Sequence, residues 1–151
     1  MIRKKPVGTG PLLREPLEAL GFTVRTVEAV RRVPDKFRPG KWKIWTEDFL
    51  GMIDDLAFRT GTPGVIGFQR TVDDRFADHV AKVVAADTAV GWSNGFDRRV
   101  FVIGFRKRDR GEGQRARLVE VVGGTTPPEV AGAAVEILAA ALGTSPATEV
   151  R

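Results

Sequence analysis

The sequence predicts a mixed α/β (α+β) sandwich, a mixed sheet with helices packed on it, and three observations carry that prediction. Segments rich in β-branched residues with polar ones interleaved, and apolar strand-like runs broken by Gly/Pro turns, occupy residues 22 to 70. Over 72–86 the apolar period switches from two to 3.6, with Val72, Phe76, Val80 and Val83 on one face. Two further strand patterns follow, and then an Ala-rich helix closes the chain.

The elements run in order. "GPLLREPLEALGF" places Leu12, Leu13, Leu17 and Leu20 near helical spacing and stops at Gly21, a C-terminal breaker. "FTVRTVEAVRRV" reads as one strand, and "PDKFRPGKWKIWTED", with its prolines and scattered lysines, as a long loop or irregular hairpin arm. Two strands at 49–58 and 64–70 flank the turn "RTGTPG", and the 72–86 helix follows. Past the Asn-Gly signal in "GWSNGFDRR", the strands "VFVIGFRKR" and "RARLVEVV" are joined by the basic loop "KRDRGEGQ". Thr126 as N-cap, Pro127 at the first helical position and Gly143 beyond the end predict a helix over 127–142. One domain spans 1–151, with frayed ends at 1–9 and 144–151.

Composition excludes several classes of function. There is no cysteine, hence no disulfide framework, thiolate zinc site or thiol nucleophile, and one histidine supplies no His-rich metal site. Any metal is a hard, oxygen-bound cation. No stretch approaches the ~18 apolar residues of a membrane span, and "MIRKKPVGTG" lacks the apolar core of a secretory signal. A cytoplasmic protein without membrane partners is expected. The 24 Lys and Arg against 19 Asp and Glu give a formal charge of +5, the direction expected for a polyanion-binding protein.

The chemistry concentrates in "FLGMIDDLAFRTGTPGVIGFQRT", residues 49–71. A strand apolar on both faces carries the adjacent pair Asp54 and Asp55, and side-chain alternation sends at least one of them toward covered surface. An unpaired buried carboxylate costs several kcal/mol. Compensation comes from a neighbouring arginine, helix N–H groups, a place at the strand's end, or a divalent cation.

The order helix, three-strand meander, crossover helix, further strand resembles the core of the PD-(D/E)XK nucleases, over roughly residues 12–122. "GMIDDLAF" is similar to the Gly-x-(V/I)-Asp-(I/L) strand of Holliday-junction-resolvase-like members, and "GVIGFQRT" to the strand bearing the (D/E)-X-K triplet. The resemblance implies a restriction-endonuclease-like αβββαβ core with an extra C-terminal helix. It further implies an Mg²⁺ or Mn²⁺ cofactor, branched or structured DNA as substrate, and a homodimer. It puts Asp54 in the place of the metal aspartate, Gln69 in the acidic position, Thr71 in that of the lysine, and Glu15 or Glu18 in that of the first-helix glutamate. Glutamine offers an oxygen without charge, and threonine does not replace a lysine. Either a cation moves in from Arg75, His79 or Lys82, spaced i, i+4 and i+7, or the site is degenerate and the fold only binds.

Two segments suit a nucleic-acid interface. "KFRPGKWKIW" interleaves Lys36, Arg38, Lys41 and Lys43 with Phe37, Trp42 and Trp45, which either track phosphates and stack on bases or anchor a loop to the core. "FRKRDRGEGQRAR", with Arg106, Lys107 and Arg108, is either a phosphate-contacting hairpin tip or a solvated loop, and Arg70 joins this basic set. His79 is expected on the polar face of its helix, Asp78 and Lys82 make an ordinary i, i+4 pair, and Asp48 a strand-entry turn. The C-terminal helix, apolar around most of its circumference, is either buried or a dimer interface.

Overall fold

The computed structural model describes residues 8–27, 29–47, 52–94, 96–106, 114–122 and 128–144. Helix α1 (Thr9–Ala19) buries Leu12, Leu13 and Leu17 on one face. It closes at Gly21, whose φ of +89° suits a residue without Cβ. Phe22 N–H donates to the Leu17 carbonyl and Gly21 N–H to that of Glu18, each at 2.9 Å, a Schellman closure.

The stretch expected to be one strand after α1 is two: β1 (Thr23–Thr26) and β2 (Ala29–Pro34). β2 pairs antiparallel with β3 (Trp42–Glu47) in a separate two-stranded ribbon, so the irregular loop expected there is a regular arm. Its turn is closed from within. Asp35 N–H donates to the Lys41 carbonyl at 3.0 Å, Gly40 takes φ +76°, and the Asp35 carboxylate accepts from Phe37 N–H and Arg38 Nε at 2.9 Å each. Apart from each other, β2 and β3 pack substantially on no other element among the described residues.

The central sheet comprises β1, β4 (Asp55–Phe58), β5 (Val65–Val72), β6 (Arg98–Phe105), β7 (Arg115–Val121) and β8 (Val130–Ala133), in the order β1-β4-β5-β6-β7-β8. β1, β4 and β5 form an antiparallel meander, β6 lies parallel to β5, and β7 and β8 continue antiparallel. The parallel step requires a crossover, made by a 3₁₀ turn (Asp73–Arg75), α2 (Phe76–Val84) and α3 (Asp87–Trp92). The sequence pattern located α2 but not α3, whose six residues run into the Asn-Gly signal.

The C-terminal helix is shorter than expected. Residues 130–133 are the edge strand β8, and α4 covers Ala134–Leu142. The alanines of "VAGA" favour helix, and the ladder offered by β7 overrides them. Val130 to Ala133 pair with Leu118 to Arg115, and Ala134 N–H donates to the Gln114 carbonyl at 2.8 Å.

Each sheet face carries its own core. α1 and α4 cover Ile66, Phe68, Phe101, Ile103, Phe105 and Leu118, while α2 covers Val100, Val102, Val119 and Val121 together with Met52 and Ile53. Gly104 makes room for α2, since a Cβ there would lie 2.9 Å from Phe76 Cδ2. Ile137, Leu138 and Leu142 of α4 are buried within the chain, which decides between the two roles left open for this helix in favour of burial. The Arg99 fork holds Glu120 at 2.9 Å through each arm and reaches the Ala141 carbonyl at 3.0 Å, tying the end of α4 to the sheet. No described helix is long and apolar enough to cross a membrane.

Candidate functional site

Asp54 and Asp55 sit at a β-bulge. Asp55 is the register partner of Phe68, yet Asp54 N–H also donates to the Phe68 carbonyl at 2.9 Å, so two residues of one strand oppose one of the next. The Asp54 carbonyl turns the other way and accepts Val27 N–H at 2.9 Å. Simple alternation therefore fails here, and both carboxylates are buried, 6% and 2% exposed.

The two are satisfied differently. Asp55 takes Arg70 Nε at 2.6 Å and Thr26 Oγ1 at 2.9 Å, and Arg70 Nη1 continues to Thr9 Oγ1 at 3.1 Å. Asp54 Oδ2 accepts Gln69 Nε2 and the Arg70 backbone N–H, each at 2.9 Å. Phe68 turns its carbonyl to β4, so the Arg70 N–H two residues on points the same way, and the carboxylate completes the ladder where β4 has ended. Gln69, 3% exposed, keeps Oε1 buried without a hydrogen-bond partner among the described residues. Leaving such an acceptor unmade costs about 1–3 kcal/mol.

Gln69 and Thr71 share a face, as their spacing requires. It is the α2 face, shared with Gly67, where a Cβ would meet Ile53 Cδ1 at 2.8 Å; Ile66 and Phe68 point into the other core. Thr71 is buried, 6% exposed. The structure thus brings Asp54 and Gln69 into contact and places Thr71 two residues along the same face.

Other expected residues are not brought to this point. Glu15 and Glu18 are exposed on α1, which covers the face opposite Gln69. They lie about 9 and 13 Å along the helix axis from Thr9, the α1 residue that touches Arg70. α1 meets the bulge with its N-terminus, so the structure does not bring either glutamate to the Asp54–Gln69 pair. Arg70, expected on a nucleic-acid surface, is bound to Asp55 with its side chain 17% exposed. Sequence reasoning missed Thr26 and Thr9, whose roles arise only from strand and helix placement.

Arg75 and Lys82 are exposed on α2. Phe76, Val80 and Val84 line a groove against Val119 and Arg117 of β7, and helical geometry puts Arg75, His79 and Lys82 on the opposite margin, toward β5. His79 is half-buried, deeper than the polar-face position expected of it.

Arg106 lines a cavity of about 360 Å³ with Arg115, Arg117 and Asp73. Arg117 is engaged there, its fork on Glu129 at 2.9 and 3.1 Å and its guanidinium 4.6 Å from the Phe76 ring; the Glu129 hydrogen bonds hold its pKa above the ordinary value. Lys107 and Arg108, like Asp48, lie outside the described residues. On the arm, Lys36, Arg38 and Lys41 are exposed and Lys43 is half-buried. Phe37 and Trp42 are 90% and 57% exposed, so these two aromatics do not anchor the arm to the core.

No family model, no curated protein and no solved structure matches this chain.

Proposed function

We propose that this chain is a cytoplasmic nucleic-acid-binding protein on a restriction-endonuclease-like αβββαβ core, with an Mg²⁺- or Mn²⁺-dependent endonuclease centre at Asp54 and Gln69 acting on branched or structured DNA. The observation that carries this is the Asp54–Gln69 contact of 2.9 Å at a bulge, beside a buried amide oxygen that has no partner among the described residues. Bulges recur beside active sites because they re-aim side chains. The succession of α1, the β1-β4-β5 meander, the α2 crossover and parallel β6 agrees with that core, the β2–β3 arm being inserted after its first strand.

The donor set fits a hard cation sparingly. Among the described residues no three His, Cys, Asp or Glu side chains are grouped for a metal. Asp54 contributes one charge, and a half-turn of the Gln69 amide would exchange Nε2 for Oε1 and set two oxygens together. Magnesium binds through one or two carboxylates with substrate phosphate and several waters, which such a pair leaves room for. Bound there, it would polarise the scissile phosphate and activate water. The chain's own residues do the rest. Arg70 N–H holds the Asp54 carboxylate in place, Thr71 offers a hydroxyl on the same face, and Arg75 or Lys82 neutralises phosphate charge from the α2 margin.

The test is incubation with branched and linear DNA and Mg²⁺ or Mn²⁺, beside Asp54→Ala. Metal-dependent cleavage that the substitution abolishes is the expected result. A second reading, a catalytically degenerate module that binds DNA or another protein, is favoured by Thr71 standing where a lysine would and by the single carboxylate. Binding without cleavage, unchanged by Asp54→Ala, would select it. Absence of salt-dependent binding would remove the nucleic-acid reading altogether.

A further inference from the structure

We infer that the β2–β3 arm is a grip for an unpaired nucleic-acid strand, with Phe37 and Trp42 as stacking platforms; this rests on the nucleic-acid reading above but not on cleavage. The arm is strongly cationic. Residues 29–47 hold Arg31, Arg32, Lys36, Arg38, Lys41 and Lys43 against Asp35 and Glu47, six minus two, a net +4. Residues 106–117 carry an equal net +4 but no aromatic residue, so charge draws a polyanion to both stretches and only the arm adds rings to stack on.

The arm also carries two of the most exposed large apolar side chains among the described residues, Phe37 at 90% and Trp42 at 57%. An exposed phenylalanine at a loose loop tip would mean little. Here the turn that presents it is built: the Asp35 carboxylate holds Phe37 N–H and Arg38 Nε, and Lys41 N–H donates to the Arg38 carbonyl at 3.0 Å. The ring is offered to solvent by a closed turn, which limits the ordering cost of binding. Trp42 lies with the Arg32 guanidinium 5.7 Å from its ring centroid. Aromatic faces interleaved with cations are what a single strand requires, because every base has a face to stack and every step a phosphate to neutralise. A paired duplex hides its base faces and would leave both rings idle.

The root of the arm points to the use of such a grip. Val27, two residues before β2, donates its N–H to the Asp54 carbonyl at 2.9 Å, so the root of the arm adjoins the bulge. Branched DNA with a flap or a gap supplies an unpaired strand.

The test uses the full chain with a dT oligonucleotide, a blunt duplex, and vesicles containing phosphatidylserine, over a series of salt concentrations. The expected results are tryptophan quenching and preference for the oligonucleotide. A Phe37→Ala/Trp42→Ala double variant, its folding verified by an unchanged thermal melt, should lose at least about tenfold in single-strand affinity, since each ring stacks on a base. Its duplex affinity should move less than about threefold. Trp42→Phe should restore part of the loss. Lys41→Gln/Lys43→Gln should lower affinity for both nucleic acids and reduce the salt slope by about 1.4, near 0.7 per lost contact on a single strand. Equal loss on single strand and duplex, no loss on either, or binding to the vesicles alone would overturn the inference. Loss of stacking with intact Asp54-dependent cleavage would sink the arm alone; intact stacking without cleavage would sink the nuclease alone.

Discussion

Asp54 and Asp55 are neighbours in sequence, nearly equally buried, and chemically identical, yet different groups hold them. Asp55 has a full counter-charge in Arg70, a hydroxyl from Thr26, and through Arg70 a link to the start of α1. Asp54 has a neutral amide and a backbone N–H, and the amide beside it keeps a buried oxygen unmade. Burial alone therefore does not mark a functional carboxylate. The Asp55–Arg70 ion pair ties strand to strand, whereas the unmade Gln69 amide oxygen at the bulge is where a ligand has something to add.

The comparison is sharpest under substitution. Asp55→Ala removes the carboxylate that holds Arg70 Nε and is expected to cost about 3–5 kcal/mol in urea unfolding. Replacing both partners, Asp55→Leu with Arg70→Met, should recover most of that loss. A cost for Asp55→Ala below about 1 kcal/mol would break the distinction.

Asp54→Ala orphans at least the Arg70 backbone N–H and the Gln69 amide and should cost about 1–3 kcal/mol. Cleavage, by contrast, should vanish with Asp54→Ala. Gln69→Glu puts a second carboxylate beside Asp54 in a buried place. Its thermal midpoint in EDTA should fall below wild type by the equivalent of about 1–2 kcal/mol, and Mg²⁺ should raise it again, reaching about 2.7 kcal/mol of stabilisation at a hundredfold excess over Kd. A variant indifferent to Mg²⁺ would place the cation elsewhere or nowhere.

The smallest effect belongs to the Asp35 carboxylate of the arm. The Phe37 N–H, and after it the Arg38 guanidinium, hold the Asp35 pKa below its ordinary 3.8. With a lowered folded-state pKa, its contribution to the turn is complete above 3.8, declines as pH falls through that value, and is gone once pH has passed the folded pKa. The Phe37 amide resonance should shift over that acidic interval and remain flat from pH 5 upward, while thermal stability changes little.

Much of the layout was legible because it rests on local rules. Gly21 ends α1 since the closure needs positive φ, and the spacing of Phe76, Val80 and Val83 reports α2 whatever surrounds it. The common face of Gln69 and Thr71 follows from strand pleat alone. Other features escaped because they are set by partners distant in sequence. The division of residues 22–34 into β1 and β2 reflects two different sheets, and β8 formed where a helix was expected because β7 offered an edge. Glu15 and Glu18 had the right composition on the right helix, but α1 covers the wrong face for them.

Residue order alone sets which chemistry is present: no thiol, one histidine, two adjacent aspartates, a later Gln-Arg-Thr triplet, and positive charge concentrated in residues 29–47 and 106–117. Those are properties of composition and short-range period, and they survive any packing. How they are used is set by packing between distant segments. The bulge opposite Phe68 buries both aspartates, and strand pairing then gives Arg70 to one and Gln69 to the other. The hairpin of β2 and β3 turns a cationic, aromatic stretch into an exposed arm. Register and face are relations between segments, and no single segment contains them.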